Sequence, residues 1–249
     1  MTQLPTIIVP ARLESTRFNR KLLHEIHGKA LIIWTAQRIQ SEVPDYPLYF
    51  AVDAPELEEC LLQEGYQVVM TQKDHQSGTD RIAEANQQIG AEYVINVQGD
   101  EPLIQRQEIQ LLADCLKGDN QMATIASPFK CQSDFEDPNQ VKVVLDEMGN
   151  ALYFSRAAIP FNRNTKGTAS ADWLQSNHCY KHIGLYAYTS QFLEQFVQME
   201  VGSLESIEKL EQLRVLEKGF KIKVAITNAQ TIGIDTKEDI ESFKMHLSS

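Results

Sequence analysis

The chain has 249 residues, 43% hydrophobic and 23% charged, which supplies apolar material for a sizeable core and excludes a disordered chain. Lys and Arg number 23 against 34 Asp and Glu, and the net charge of −11 opposes any general affinity for nucleic acid or an anionic membrane. Met1 to Pro10 lacks a signal-peptide pattern, no apolar run approaches bilayer length, and Cys60, Cys115, Cys131 and Cys179 are too scattered for a zinc knot or disulfide framework, so a cytoplasmic protein is expected.

Along the chain, short β-branched runs alternate with segments of helical period. Thr6 to Val9 reads as a strand, Ala30 to Gln40 as a helix and Leu48 to Val52 as a strand. Asp53 is the expected N-cap of a helix that opens with Pro55 and runs to Glu64. Strands follow at Gln67 to Met70 and Tyr93 to Val97, separated by a helix from about Asp80 to Ile89, with another helix from about Gln107 to Lys117. Helix-length crossovers imply an α/β fold of Rossmann-like kind, a mostly parallel sheet with helices on both faces. Ligands then collect at the carboxyl ends of its strands.

After Met122 the pattern changes. Val141 to Leu145 and Ala151 to Phe154 flank Glu147-Met148-Gly149-Asn150, a hairpin that makes the sheet mixed. Asn162 to Lys181 shows neither period and reads as a long connection, mobile or serving a partner subunit. His182 to Tyr188 is a strand, Leu204 to Glu217 a helix, Ile222 to Ile226 a strand, and Thr236 opens the last helix. The expectation is one domain over 1–249 with an inserted hairpin and dimerisation lobe at about 128–182, the alternating apolar faces of the hairpin pointing to a homodimer.

Four strand ends could carry chemistry. Between Arg12 and Lys21 four basic residues, Arg12, Arg17, Arg20 and Lys21, oppose only Glu14. A polyphosphate suits that loop, as does plain solvation of a basic surface, but the glycines of a Walker loop or a dinucleotide fingerprint are missing. Asp100, in Gln98-Gly99-Asp100-Glu101-Pro102, could hold Mg²⁺ beside substrate phosphates or simply close a turn. Asp235, after Ile232-Gly233-Ile234, is either a second metal carboxylate or a helix cap. Ser77-Gly78-Thr79-Asp80-Arg81 lies at a further strand-to-helix connection, where backbone can approach a base and Arg81 an anion, or where Ser and Gly merely start a helix. His182 and Tyr186 on one strand are weak signals alone, and neither a Ser/His/Asp order nor H-E-x-x-H spacing is present.

Seven segments in order resemble the sugar nucleotidyltransferases that activate acidic sugars, most closely the 3-deoxy-manno-octulosonate cytidylyltransferase (CMP-Kdo synthetase) family. They are Ile8-Val9-Pro10-Ala11-Arg12 with Ser15-Thr16-Arg17, then Asp74 to Arg81, Asn96 to Pro102, Val141 to Asp146 with Ala151 to Arg156, His182 to Tyr186, Leu210 to Arg214, and Asp235-Thr236. The resemblance implies the nucleotide-diphospho-sugar transferase type of fold. It also implies CTP and a 2-keto-3-deoxy sugar acid as substrates, with CMP-sugar and pyrophosphate as products and Mg²⁺ as cofactor. It assigns Asp100 and Asp235 to the metal, and Pro10, Ala11, Arg12, Lys21, Ser77, Gly78 and Arg81, with Asp100, to the nucleotide. Arg12 and Lys21 would stabilise charge on the leaving pyrophosphate. Gln98, Arg156, His182, Tyr186, Glu208, Glu211 and Gln212 would surround the sugar.

The chain departs from the family pattern at three places. Arg-Leu-Pro-Gly-Lys-Pro-Leu is replaced by Arg17-Phe18-Asn19-Arg20-Lys21-Leu22-Leu23, and Arg20, unlike Gly, is expected to avoid positive φ and so reshape the loop. Ala30 replaces a proline after Lys29, and Gly202-Ser203-Leu204-Glu205 replaces Ser-Pro-Leu-Glu on the sugar side, which leaves the exact sugar open between Kdo and its 8-amino relative. Two other classes are a nicotinamide-dependent dehydrogenase, disfavoured by arginines where its glycines belong, and a non-catalytic nucleotide-binding protein, disfavoured by the presence of both Asp100 and Asp235.

Overall fold

A computed structural model of the chain describes residues 4–14, 18–229, 233–234 and 236–247. They fall into two units, Met1–Gln110 with Gln230–Ser249, and Leu111–Ala229.

The first unit is built on four parallel strands in the order β6-β1-β4-β5. β1 (Thr6–Ala11) is buried at every position, as a central strand covered on both faces must be. A two-stranded ribbon of β2 (Glu25–Ile26) and β3 (Lys29–Ala30) leads into α1 (Leu31–Glu42), followed by β4 (Leu48–Val52). Then come α2 (Pro55–Gln63), β5 (Gln67–Met70), α3 (Gly78–Ile89), β6 (Tyr93–Asn96) and α4 (Arg106–Cys115), which carries the chain into the second unit.

Two helix starts differ in detail from the sequence expectation. The N-cap of α2 is Ala54 rather than Asp53, because Asp53 is drawn away: its Oδ1 accepts from the Leu13 amide at 2.8 Å and its Oδ2 lies 3.2 Å from Arg81 Nη2. α3 begins two residues earlier than Asp80, since Ser77 and Asp80 form a reciprocal capping box.

In the second unit β7 (Met122–Pro128) lies between β11 (Lys223–Ile226), which is parallel to it, and β10 (Tyr180–Thr189), which is antiparallel. The hairpin is present: β8 (Lys142–Leu145) and β9 (Ala151–Ser155) pair antiparallel, with Gly149 at φ 73° in the turn and β8 also pairing β10. Elements that escaped the sequence reading in this unit include β7 itself, α5 (Gln132–Glu136) and α7 (Ser190–Val197).

The segment read as a loose connection is packed. It contains α6 (Ala171–Ser176), and Ala169, Leu174 and Cys179 are buried in a cluster with Phe129 and Phe135. The expected helix from Leu204 to Glu217 is instead two, α8 (Ser203–Glu208) and α9 (Leu213–Glu217), divided at Lys209 with φ 54°. In a continuous helix the thirteen steps from Leu204 to Glu217 would hold them about 20 Å apart. Here the Leu204 amide donates to Glu217 Oε2 at 3.1 Å, so the fold-back lets the end of α9 cap the start of α8.

The chain then returns to the first unit as α10 (Lys237–Leu247), opened by a second capping box between Thr236 and Asp239 and packed through Phe243 edge-on to Trp34 of α1. Among the described residues no helix is long and apolar enough to cross a membrane.

Candidate functional site

In the first unit the carboxyl end of β1 and the start of α3 face each other across a cavity of about 200 Å³, lined by Pro10, Ala11, Arg12, His75, Gln76, Ser77, Gly78, Arg81 and Gln98. Gly78 approaches Pro10 closely: a Cβ there would lie 3.2 Å from Pro10 Cγ, so any side chain must push the ring aside by a few tenths of an ångström. Arg12 is exposed at this cavity. Arg81 is buried with both terminal nitrogens of its guanidinium engaged: Nη1 donates to Thr71 Oγ1 at 2.6 Å and to the Gln72 carbonyl at 3.1 Å, and Nη2 pairs with Asp53. Arg81 therefore builds the wall of the cavity.

His75 and Gln76 line the same wall and were not singled out from sequence. The His75 ring is held through Nε2 by Glu84, which also accepts the Gln72 amide at 2.9 Å. Burial pushes the Glu84 carboxyl up, but the hydrogen bonds from His75 and Gln72 outweigh it and hold the carboxyl below its ordinary value. Gln98, which the resemblance assigns to the sugar, lines this cavity too and donates to Asn96 Oδ1 at 3.1 Å.

Lys21 and Asp100 form an ion pair with Nζ 2.5 Å from Oδ2, Lys21 being almost fully buried. The turn that delivers Lys21 has Arg20 at φ 52°, ψ 34°, the left-handed conformation the sequence reading expected it to avoid. Arg20 fills the place of the family's glycine in a glycine-like geometry, and its guanidinium reaches Glu56 at 3.5 Å. The Asp100 carbonyl accepts the Ile234 amide at 2.9 Å, which ties the segment just before position 235 to the Asp100 turn. Asp235 itself, and Arg17 with Ser15 and Thr16, lie outside the described residues. Among the described residues no group of three or more His, Cys, Asp or Glu side chains is gathered as a metal site.

The second unit holds the other candidates. Arg156 and Glu208 clamp one another: the Arg156 amide donates to Glu208 Oε2 at 2.9 Å, its Nε to the Glu208 carbonyl at 2.8 Å, and Ser155 Oγ to Oε1 at 2.6 Å. Beneath this clamp Lys142 is fully buried, its ammonium donating to the carbonyls of Asp137, Gln140 and Arg156 at 2.7 to 2.8 Å. Three acceptors for three protons leave that cation satisfied. The His182 ring stands edge-on to Phe154 at 5.0 Å and tilted against Tyr186 at 5.4 Å. Burial lowers the His182 imidazole to about 3, so the ring is neutral at pH 7. Burial, helped by the charge of Glu211, raises the Tyr186 phenol, while the neighbouring Gln212 is buried.

Comparison with known proteins adds the family. The cytidylyltransferase family model matches residues 6–223. A 3-deoxy-manno-octulosonate cytidylyltransferase of Parabacteroides distasonis is 47% identical over 94% of both chains, and an 8-amino-3,8-dideoxy-manno-octulosonate cytidylyltransferase of Shewanella pealeana is 43% identical over 98% of both. A solved CMP:2-keto-3-deoxy-manno-octonic acid synthetase complexed with CTP aligns over 99% of both chains, with a TM-score of 0.89 and 32% identity.

Proposed function

The chain belongs to the cytidylyltransferase family, and from that premise we propose that it transfers CMP from CTP to 3-deoxy-D-manno-octulosonate, giving CMP-Kdo and pyrophosphate for lipopolysaccharide synthesis. The observation that carries the reading is the cavity between Pro10 and Gly78 in the same unit as the Lys21–Asp100 pair, a narrow pocket and a buried cation in an otherwise acidic protein. The sugar's anomeric hydroxyl attacks the α-phosphorus in line, the bond to pyrophosphate breaks, and the hydroxyl proton passes to solvent. Arg12 and Lys21 bind the triphosphate and balance the charge that moves onto the leaving group. Gln98, Arg156, His182, Tyr186, Glu208, Glu211 and Gln212 orient the sugar acid.

Asp100 is a hard oxygen donor tied through its backbone to the segment before position 235, so Asp100 with Asp235 would hold Mg²⁺, which when bound neutralises triphosphate charge. Consumption of CTP suits a cytoplasmic enzyme, and exposed Met148 and Leu152 on the hairpin support a homodimer.

The test is pyrophosphate release from CTP with Kdo and with its 8-amino derivative, the second acceptor being warranted by the Shewanella relative. Turnover with Kdo, Mg²⁺-dependent and lowered at least a hundredfold by Asp100→Asn, is expected. Preference for the amino sugar would move the assignment to that substrate, and no release with either would overturn it.

A further inference from the structure

The β7–β10 pairing is interrupted beside His182. Its register passes from Ile183 opposite Ile125 directly to Tyr186 opposite Thr124, so Gly184 and Leu185 have no counterparts on β7. Such an irregularity frees carbonyls that a ladder would occupy. The buried Thr124 hydroxyl meets them, its Oγ1 lying 2.8 Å from the Leu185 carbonyl, 3.3 Å from the Ile183 carbonyl and 3.0 Å from His182 Nε2.

A hydroxyl has one proton, and the two carbonyls can only accept. The threonine proton therefore goes to a carbonyl, Leu185 being nearer, and His182 Nε2 must donate to Oγ1. With the ring neutral, its other nitrogen is left as a lone-pair acceptor, and among the described residues Nδ1 meets no hydrogen-bonding partner.

We propose that Thr124 is a positioning residue that fixes His182 in the Nε2–H tautomer, so that Nδ1 accepts a hydrogen bond from a hydroxyl of the sugar acid. This rests on the cytidylyltransferase reading above. The packing of Phe154 and Tyr186 holds the ring in place, whereas the position of its proton depends on Thr124. Thr124→Val, which keeps the shape and removes the hydroxyl, frees the tautomer, and Thr124→Ser preserves it.

Long-range ¹H–¹⁵N correlation of ¹⁵N-histidine-labelled protein at pH 7 reads the tautomer directly, with His182→Ala assigning the signal. Wild type and Thr124→Ser are expected to show Nε2–H, and Thr124→Val a shift toward Nδ1–H. In parallel, Thr124→Val is expected to raise the KM for the sugar acid about tenfold with kcat and CTP affinity within twofold of wild type, and Thr124→Ser to restore it. An Nδ1–H tautomer in wild type, or an unchanged tautomer in Thr124→Val, overturns the proposal. So does an unchanged KM despite a changed tautomer. If Thr124→Val fails to fold, the wild-type tautomer and the Thr124→Ser kinetics decide alone. Absence of wild-type turnover with either sugar acid instead overturns the functional reading and the substrate role of Nδ1, while the tautomer spectrum still judges the part played by Thr124.

Discussion

Arg20 shows how a single residue can occupy another's geometry at a cost. A non-glycine residue in the left-handed region gives up about 1 kcal/mol or more, and its half-exposed pair with Glu56 returns little. Arg20→Gly relieves the strain but loosens the unfolded chain, so a net gain of about 0.5 kcal/mol in urea unfolding is expected. Arg20→Val should lose more than about 1 kcal/mol and lower turnover by displacing Lys21; equal stability of the two variants would refute the strain. Glu108 is a second isolated cost. It is fully buried, Oε2 accepts the Gln105 amide at 3.0 Å, Oε1 has no partner among the described residues, and burial raises its carboxyl to about 6 from 4.5. Between those two values the folded state binds more protons than the unfolded, so this group's contribution to stability falls as pH rises through about 4.5 to 6 and stays lost above. Glu108→Gln should therefore stabilise the protein by about 2 kcal/mol at pH 7 and make no difference below pH 4.5, checked by denaturation at both pH values.

The elements explain the departures from the family pattern better than single residues do. Glu217 Oε2 receives the amides of Leu204 and Glu205, and Oε1 receives the Ser203 hydroxyl, so the carboxylate occupies the space beside residue 202. A Cβ there would lie 1.9 Å from Oε2, so a larger residue at 202 must displace the Glu217 carboxylate from this cap. Gly202→Ala is expected to lower the urea midpoint clearly in the wild-type background and hardly at all in Glu217→Ala; equal losses in both backgrounds would break the link. The hydrogen bonds from the Leu204 amide, opposed by burial, keep the Glu217 carboxyl below its ordinary value, so the cap is present above the ordinary carboxylate range and is lost as pH falls through the folded value. None of this was legible beforehand, because the helical period of Leu204 to Glu217 is continuous and only a tertiary contact breaks it. β7 was hidden for a related reason: Met122–Pro128 is largely small residues without alternation, and its burial comes from neighbours on both sides. By contrast β1, β4 and the β8–β9 hairpin were readable, since their β-branched runs and turn chemistry state locally what the fold requires.

At the scale of the whole molecule, the two units divide the candidate residues by chemistry, except for Gln98, a sugar candidate that lines the cavity of the first unit. The nucleotide candidates Pro10, Ala11, Arg12, Ser77, Gly78 and Arg81 line one cavity of the first unit, where strand ends and helix starts were visible in sequence. His182, Tyr186, Glu208, Glu211 and Gln212 belong to the second, where the strand pattern gave only a weak signal at His182 and Tyr186 and the resemblance named the rest. The partners that hold these groups were invisible, because Lys142 beneath Arg156 reads as an ordinary strand residue and Thr124 beside His182 lies in a strand without alternation, until the strands are paired. This division predicts which variants impair which substrate. His182→Ala and Glu211→Ala should raise the KM for the sugar acid roughly tenfold or more, each removing about one substrate hydrogen bond, while calorimetric CTP affinity stays within about twofold. Gly78→Val should do the reverse, since its side chain must push against Pro10, already 3.2 Å from where a Cβ would lie, and fill part of the cavity, weakening CTP with little change in sugar dependence. CTP is expected to be preferred over ATP and GTP, because a cavity of about 200 Å³ favours the smaller pyrimidine. Loss of CTP affinity in His182→Ala with an unchanged sugar KM would reverse the assignment of the two units, and equal binding of ATP by wild type would remove the cavity as the seat of base selection.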